Sequence, residues 1–420
     1  MDTERLMGKM NALGWTCHFE PEQPKSPVMV INTCGFIGDA KEESINTILQ
    51  QSQRKHAKQN KLEKLFVMGC LSQRYMEELT QEIPEVDGWF GKFDWENILT
   101  LLTEKPRPYP DLSPRLLTTP KHYAYLKISE GCNRMCSYCA IPLITGHHQS
   151  RPMEDILDEV KWLQTQGVKE VNVIAQDLSS YGVDIYKQHK LPELIDRMAQ
   201  IEGIEWIRLH YAYPTDFPDE LLDVMAKHKN VCKYLDIALQ HCTDNMLTKM
   251  RRHITQAEQD TLIARIRERV PGICLRTTLM VGHPGETEED FEALKEWTRR
   301  MRFDRMGAFA YSEEEGTYAA THYKDDIPEE IKQQRLSELM AVQQDISAEL
   351  QAAKVGKTMK VIIDRKEDDY YIGRTEFDSP EVDCEVLIPI TENGLSITEG
   401  EFYNVTITKA EEFDLYGQIC

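Results

Sequence analysis

Between residues 120 and 340 the chain alternates apolar runs of strand length with stretches of helical period six times over, and this repetition constrains the fold more than any other feature. The strand-like runs are YAYLKI at 123–128, VKEVNVIA at 168–175, WIRLHY at 206–211, YLDIAL at 234–239, ICLRTTLMV at 273–281 and DRMGAFAY at 304–311. Among them lie MEDILDEVKWLQTQ, LPELIDRMAQI, FPDELLDVMAKH, AEQDTLIARIRERV and EEDFEALKEWTRR, whose apolar residues recur every three or four positions. Strands separated by helices pair in parallel through crossovers. Six such units predict an α/β fold, an incomplete TIM-like barrel, with a doubly wound open sheet as the structural rival. In the barrel the carboxyl ends of the strands share one mouth, where a site forms.

The flanks are built differently. Up to about residue 105, PVMVINTC, AKEESINTILQQSQRKHAK and KLFVMGCLSQRYMEEL alternate strand and helix, which predicts a small N-terminal α/β layer with a largely parallel sheet. Cys34 and Cys70 fall just past the ends of two of its strands, where open α/β sheets commonly place ligands. EKPRPYPDLSPRLLTTPKHY holds five prolines within residues 104–123 and reads as a stiff, irregular linker. A long helical stretch, PEEIKQQRLSELMAVQQDISAELQAAKV, and Gly356 precede short alternating strands with charged turns, which predict a small all-β barrel or sandwich. The expected division is 1–105, a linker at 106–122, the barrel at 123–340, and a connecting helix with the β domain at 341–420. A chain of 420 residues exceeds one ordinary core, in keeping with several domains.

The formal net charge is −21, from 70 Asp+Glu against 49 Lys+Arg. Gripping a phosphate backbone calls for the opposite balance, so a basic protein partner is favoured over free nucleic acid. No window approaches the roughly 20 continuous apolar residues of a membrane helix. The opening MDTERLMGKMNALGW has no basic leader followed by an apolar run, which gives the expectation of a cytoplasmic protein without a membrane partner.

Residues 130–142, EGCNRMCSYCAIP, place Cys132, Cys136 and Cys139 in a C-x3-C-x2-C loop directly after the first barrel strand. Thiolates on one tight loop can converge on a thiophilic centre of iron or zinc. Without an obvious fourth ligand one metal position stays open. That is unusual for zinc outside catalysis, whereas a four-iron cluster then exposes one iron to a substrate or cofactor. An iron-sulfur cluster is therefore expected, ahead of zinc or of packed or redox cysteines. Cys17, Cys232, Cys242, Cys274, Cys384 and Cys420 have no convincing partner spacing and are expected to be small packed apolar residues.

The loop resembles the hallmark of the radical S-adenosylmethionine superfamily. More narrowly, NTCGFIGDAKEESI at 32–45, YAYLKISEGCNRMCSYCAIPLITGHHQSRP at 123–152, IAQDLSSYG, IRLHYAYP, LDIALQH, GHPGETEEDF and the closing β region resemble its methylthiotransferases over nearly the whole chain. The resemblance implies an N-terminal domain with a second cluster, a radical barrel and a C-terminal TRAM domain. It implies that Cys132, Cys136 and Cys139 hold a 4Fe-4S cluster whose open iron takes the amino and carboxylate groups of S-adenosylmethionine, with Tyr138 near the adenine. It also makes Cys34 and Cys70 two of the three ligands of a second 4Fe-4S cluster. The third is expected ahead of MDTERL, before Met1, which leaves that cluster one ligand short in this chain; Cys17 lies in the wrong motif to replace it. At the strand ends, Glu170, Gln176, Arg208, Gln240, Arg276 and Gly282 are candidate cofactor contacts, Arg208 as the fork for a cofactor carboxylate. Each polar side chain among them is equally readable as part of a salt bridge or helix cap. No side chain is assigned as catalytic acid or base.

The implied activity is methylthiolation of the β-carbon of an aspartate in small-subunit ribosomal protein number twelve, on its own or in the ribosomal subunit. S-adenosylmethionine serves as methyl donor and as radical source, with electrons from a separate donor. Other members of the family modify an adenosine in transfer RNA; the NTCGFI and AKEESI wording and the acidic charge both favour the protein substrate. A non-catalytic alternative, an iron-sulfur module that binds the ribosome through the β region, is separated by whether the loaded protein makes 5′-deoxyadenosine.

Overall fold

The computed structural model describes residues 1–20, 26–55, 62–103, 115–390 and 397–420, so most of the proline-rich linker, 104–114, lies outside the described residues. The chain divides into two compact units. One comprises Met1–Thr118 with the segments Cys139–His147 and Glu314–Thr317; the other comprises Thr119–Tyr138, His148–Glu313 and Tyr318–Cys420.

In the first unit, β1 (Val28–Thr33), β2 (Lys64–Gly69) and β3 (Gly88–Phe90) pair in parallel in that order. The helices Gly38–Lys55 and Cys70–Glu82 make the crossovers. Both faces of β2 are covered: Phe66 and Met68 pack with Leu6, Met10 and Ile98, while Leu65 and Val67 pack with Ile48, Leu71 and Leu79. A strand buried on two sides reads as a continuous apolar run, which is why KLFVMG lacks alternation.

In the second unit, β4 (Tyr123–Lys127), β5 (Ser129–Glu130), β6 (Gln149–Ser150), β7 (Glu170–Ile174), β8 (Trp206–Ala212), β9 (Val231–Ile237), β10 (Cys274–Val281) and β11 (Arg305–Ala310) follow in sequence. The short β5 and β6 pair with each other, and the remaining six form one sheet in the order β4-β7-β8-β9-β10-β11. Every pairing in it is parallel. A doubly wound sheet reverses its strand order at a switch point. This order never reverses, which decides for the incomplete barrel. The fourth strand begins at Val231, three residues before its expected start.

The register explains why the sheet has two unlike faces. Leu126, Val173, Leu209, Leu235 and Leu275 are successive cross-strand partners and form an apolar row, each fully buried. One position away, Tyr125, Asn172 and Arg208 pair in turn, as do Asp236 and Arg276, and then Arg276 and Arg305. Successive side chains point to opposite faces, so the apolar row meets the helical layer and the polar row lines the lumen.

The helix Glu329–Ala352 packs on β10 and β11 and runs straight across the expected boundary at 340/341, so it belongs to the barrel's outer layer as well as leading out of it. Beyond it, β12 (Thr358–Glu367), β13 (Tyr370–Thr375), β14 (Val386–Pro389), β15 (Phe402–Ala410) and β16 (Leu415–Ile419) close into a barrel. Its core holds Val361, Ile363, Val386, Ile388, Val405, Ile407 and Leu415. Closure settles the choice between barrel and sandwich and leaves no open edge.

The helix Gln256–Arg269 starts on a reciprocal cap: the Thr255 hydroxyl accepts from the Glu258 N–H at 3.3 Å, and the Glu258 carboxylate accepts from the Thr255 N–H at 2.8 Å. Thr255→Ala is expected to cost about 1 kcal/mol, seen as a lower denaturation midpoint at unchanged slope.

Candidate functional site

Three of the strand-end residues expected at the mouth lie at the other end of the sheet. Glu170 opens β7 and is fully buried, its carboxylate 2.9 Å from Arg208 Nε and 2.8 Å from Arg374 Nη2 of β13. Arg208 also donates to the Glu376 carbonyl at 2.6 Å. Arg276 pairs with Asp236 at 3.2 Å and with Asp383 at 3.4 Å. These groups tie the amino ends of the strands to the C-terminal barrel. At about 3.3 Å per residue, Glu170 is roughly 13 Å along β7 from the mouth. Glu170, Arg208 and Arg276 are therefore corrected from cofactor contacts to members of ion pairs, buried for Glu170 and Arg208 and half-buried for Arg276, the bland alternative that their residue types had always allowed. His210 is likewise interior, 3.3 Å from Asn172 Oδ1 and pushed down to about 3 by burial and by Arg208 and Arg276.

The carboxyl end gathers a different set. The cysteine loop follows β5, and Ser137 fastens it. Its N–H donates to the Met250 carbonyl at 3.0 Å, its carbonyl accepts from Ala319 at 2.7 Å, and its hydroxyl lies 3.1 Å from His283 Nε2. Cys136 is buried, with Tyr213 OH at 3.6 Å and Arg252 Nη1 at 3.2 Å from its sulfur. Cys132 and Cys139 are half-buried. Burial pushes the Cys132 thiol up to about 11, so metal ligation there must release a proton.

Around this loop stand four of the expected contacts. The Tyr138 hydroxyl accepts from Arg252 Nη1 at 3.3 Å, and its ring lies 6.4 Å from that of His283. Gln176 donates to Glu130, while its own Oε1 is buried with no hydrogen-bond partner. Gln240 takes a left-handed φ of 71° and bridges to β10 through the Thr278 carbonyl and the Met280 N–H, both at 2.8 Å. Gly282 has φ 75° and donates to Glu286 at 2.7 Å; burial lifts the Glu286 carboxyl to about 7 against the pull of Arg335.

Sequence patterns did not single out Arg134, Tyr213 or Arg252. The guanidinium groups of Arg134 and Arg252 both lie over the Tyr213 ring, 4.3 and 4.1 Å from its centre. Arg134 is neutralised by Asp177 at 2.7 Å and Asp216 at 3.2 Å. Arg252 is 2% exposed, and among the described residues no carboxylate pairs with it. It donates to the Ala238 carbonyl, and its Nε is buried without a partner. Tyr213 is the last aromatic residue of the run IRLHYAYP, whose strand-end position was the available signal. Arg252 had none: the loop that returns it to the mouth relies on left-handed backbone at Arg251 and His253, where no glycine marks the turn.

The donor set fits an anionic iron-sulfur cluster. Soft thiols sit beside a buried cation that no carboxylate among the described residues pairs, and a thiolate-ligated cluster would bring negative charge to that point. Among the described residues no three His, Cys, Asp or Glu side chains stand close enough to share one metal ion. A four-iron cluster makes no such demand, because each thiolate takes its own iron.

In the first unit, Cys34 and Cys70 line one cavity of about 280 Å³ together with Asp2, Asn32, Thr33, Met68, Gly69 and Lys92. Gly69, at φ 110°, permits this approach of strand ends: a Cβ there would lie 2.5 Å from the Thr33 carbonyl. Cys17 packs instead against the cluster of Leu6 and Met10, its sulfur 3.8 Å from the Met7 carbonyl. Cys232, Cys242, Cys274 and Cys384 are buried as expected of packed cysteines, whereas Cys420 is exposed at the chain end, where no layer covers it.

Family models match three stretches: an uncharacterised protein family, UPF0004, over residues 1–91, the radical SAM superfamily over 126–298 and the TRAM domain over 355–420. A Phocaeicola vulgatus protein named ribosomal protein uS12 methylthiotransferase RimO is 63% identical over 419 residues, 100% of this chain and 96% of that protein. A Bacteroides fragilis protein of the same name is 62% identical with the same coverage. The solved structure of TsrM from Kitasatospora setae, a radical S-adenosylmethionine methyltransferase with cobalamin and a 4Fe-4S cluster bound, matches with a TM-score of 0.59 at 14% identity. That match covers 76% of this chain and 70% of TsrM and is a likeness of fold. Among the described residues no helix is long and apolar enough to cross a membrane.

Proposed function

Because the chain belongs to the family of ribosomal protein uS12 methylthiotransferases, we propose that it exchanges a β-hydrogen of an aspartate in that protein for a methylthio group, with S-adenosylmethionine as methyl donor and radical source. The observation that carries this assignment is the thiol-bearing loop at the mouth of the barrel, beside the buried Arg252 that no carboxylate among the described residues neutralises. Residues 1–105 carry the sulfur-donating site, 123–340 the radical site and 341–420 the TRAM domain.

Cys132, Cys136 and Cys139 hold the radical cluster, and Cys34 and Cys70 supply thiolates for a second cluster that carries the sulfur. The cluster those three cysteines would hold, once reduced by a one-electron donor, would supply reductive cleavage of S-adenosylmethionine to methionine and a 5′-deoxyadenosyl radical able to take the aspartate β-hydrogen. An unactivated C–H bond is beyond side-chain acid–base chemistry, which leaves binding, orientation and water exclusion to the protein. Tyr138 takes the adenine side of the pocket. The unpartnered Gln176 Oε1 offers an acceptor to a ligand N–H or O–H. Gln240 and Gly282 present backbone that can approach a ligand closely. Ser137 holds the loop still through its three hydrogen bonds.

The test is anaerobic reconstitution followed by incubation with reductant, S-adenosylmethionine and the small ribosomal subunit or its uS12 protein. The expected products are 5′-deoxyadenosine and a uS12 peptide heavier by one methylthio group less one hydrogen. A modified adenosine in transfer RNA, with the peptide unchanged, would reassign the substrate; absence of 5′-deoxyadenosine from a loaded protein would leave only the binding-module alternative. Iron analysis is expected to give about eight irons per chain if both clusters assemble and about four if the radical site alone does.

A further inference from the structure

We propose that Arg252 is the built-in counter-charge of the radical cluster and sets its reduction potential, with Tyr213 as the ring that holds the guanidinium against Cys136. The inference rests on the cluster assignment above and extends it to residues outside the cysteine loop.

Two arginines share the Tyr213 ring, and their contrast carries the argument. Arg134 is paired with Asp177 and Asp216, so its charge is cancelled where it stands. Arg252 is buried, and its partners are the Cys136 sulfur, the Tyr138 hydroxyl, the Ala238 carbonyl and the Tyr213 ring. Those groups share the charge and neutralise none of it. Arginine cannot shed its proton in a protein, so the site must hold a buried cation or acquire an anion. The sulfur it touches at 3.2 Å belongs to a cluster ligand. A donor on a ligand sulfur and a nearby positive charge both favour the more negative, reduced state of the cluster and so raise its potential.

Tyr213 fixes the geometry in three ways. Its hydroxyl lies 3.6 Å from Cys136 and donates to the Arg252 carbonyl at 3.2 Å. Its N–H donates to Ser179 Oγ at 2.9 Å, and the Ser179 hydroxyl donates back to its carbonyl at 3.0 Å. The guanidinium is therefore placed by a side chain at the carboxyl end of β8 and acts on the cluster without ligating it. In the redox step one electron enters from a low-potential one-electron donor and leaves into the sulfonium carbon–sulfur bond, giving methionine and the 5′-deoxyadenosyl radical. Arg252 changes how readily that electron is accepted and is consumed in neither step.

The test compares wild type, Arg252→Gln, Arg252→Lys and Tyr213→Phe as reconstituted full chains, with iron content and the midpoint of the S-adenosylmethionine-responsive paramagnetic signal as readouts. Arg252→Gln is expected to load iron as wild type does and to shift the midpoint negative by about 59 mV, the one-electron equivalent of tenfold. Cleavage then falls about tenfold with a mild reductant and recovers with a stronger one; Arg252→Lys falls between, and Tyr213→Phe moves in the same direction by less. An unmoved midpoint in loaded Arg252→Gln overturns the proposal. If Arg252→Gln fails to load but Arg252→Lys loads, the restored charge supports it; if both fail, Arg252 is a structural pillar and the proposal is wrong. A wild-type chain with no responsive signal overturns the cluster assignment itself and the inference with it, a failure recognisable because no substitution is involved.

Discussion

Cys136→Ala is expected to reduce 5′-deoxyadenosine formation to the level of reductant alone and to remove about four irons from the reconstituted chain. The sulfur is buried and in contact with Arg252 and Tyr213, so on the proposed assignment the variant loses one cluster ligand and leaves the guanidinium without its sulfur acceptor. Deleting so small a buried group costs about 1 kcal/mol of packing, far less than unfolding requires. The loss is therefore one of chemistry, checked by an unchanged circular dichroism spectrum. Cys34→Ala and Cys70→Ala are expected to split the reaction differently. They line one cavity together, and Cys132, Cys136 and Cys139 are not among its lining, so 5′-deoxyadenosine continues to form while methylthiolated uS12 is lost. Retention of cleavage by Cys136→Ala would falsify the placement of the radical site.

The largest effect on stability is expected at Glu170. Its carboxylate is fully buried between Arg208 and Arg374, which in turn holds Asp364, itself 2.8 Å from His122. Glu170→Gln leaves two interior guanidinium groups short of a counter-charge and should cost about 3–5 kcal/mol. Replacing Glu170, Arg208, Arg374 and Asp364 together by apolar residues of similar size removes every charge of the group and should cost far less than the single change. A chemical denaturation series on the single and fourfold variants checks both. Burial alone would raise the Glu170 carboxyl, but Arg374 and Arg208 outweigh it and hold it below the ordinary value. A depressed folded-state pKa gives stability that is complete above the unfolded value near 4.3 and is lost as pH falls through the folded one. The deficit of Glu170→Gln should therefore be full at neutral pH and shrink in acid.

Much of this molecule was legible because its signals are local. Six strand–helix repeats, two flanking domains of different period, and the C-x3-C-x2-C loop all read from neighbouring residues, and the parallel sheet, the closed β domain and the loop at the mouth follow them. What failed was which end of a strand a polar residue serves. Glu170, Arg208 and Arg276 were counted as strand-end groups, yet Glu170 opens β7, and the partners that hold all three, Arg374, Glu376 and Asp383, lie more than 100 residues away in sequence. No local pattern carries that information. Arg252 was missed for the same reason, since its reach to Cys136 spans 116 positions.

The polar row on the lumen side of the sheet has a practical consequence for how this chain can be divided. A construction cut ahead of β12 would look, from domain boundaries alone, like a clean way to isolate the radical barrel from its β appendage. It would instead strip Glu170 of Arg374, Arg276 of Asp383 and Arg305 of Asp378, and take Ile362, Phe377 and Phe402 from the apolar cluster they share with Trp206 and Tyr234. The C-terminal barrel is thus the floor of the reaction chamber. Loss of activity on its removal would report a collapsed vessel before it reported anything about how the ribosomal protein is held.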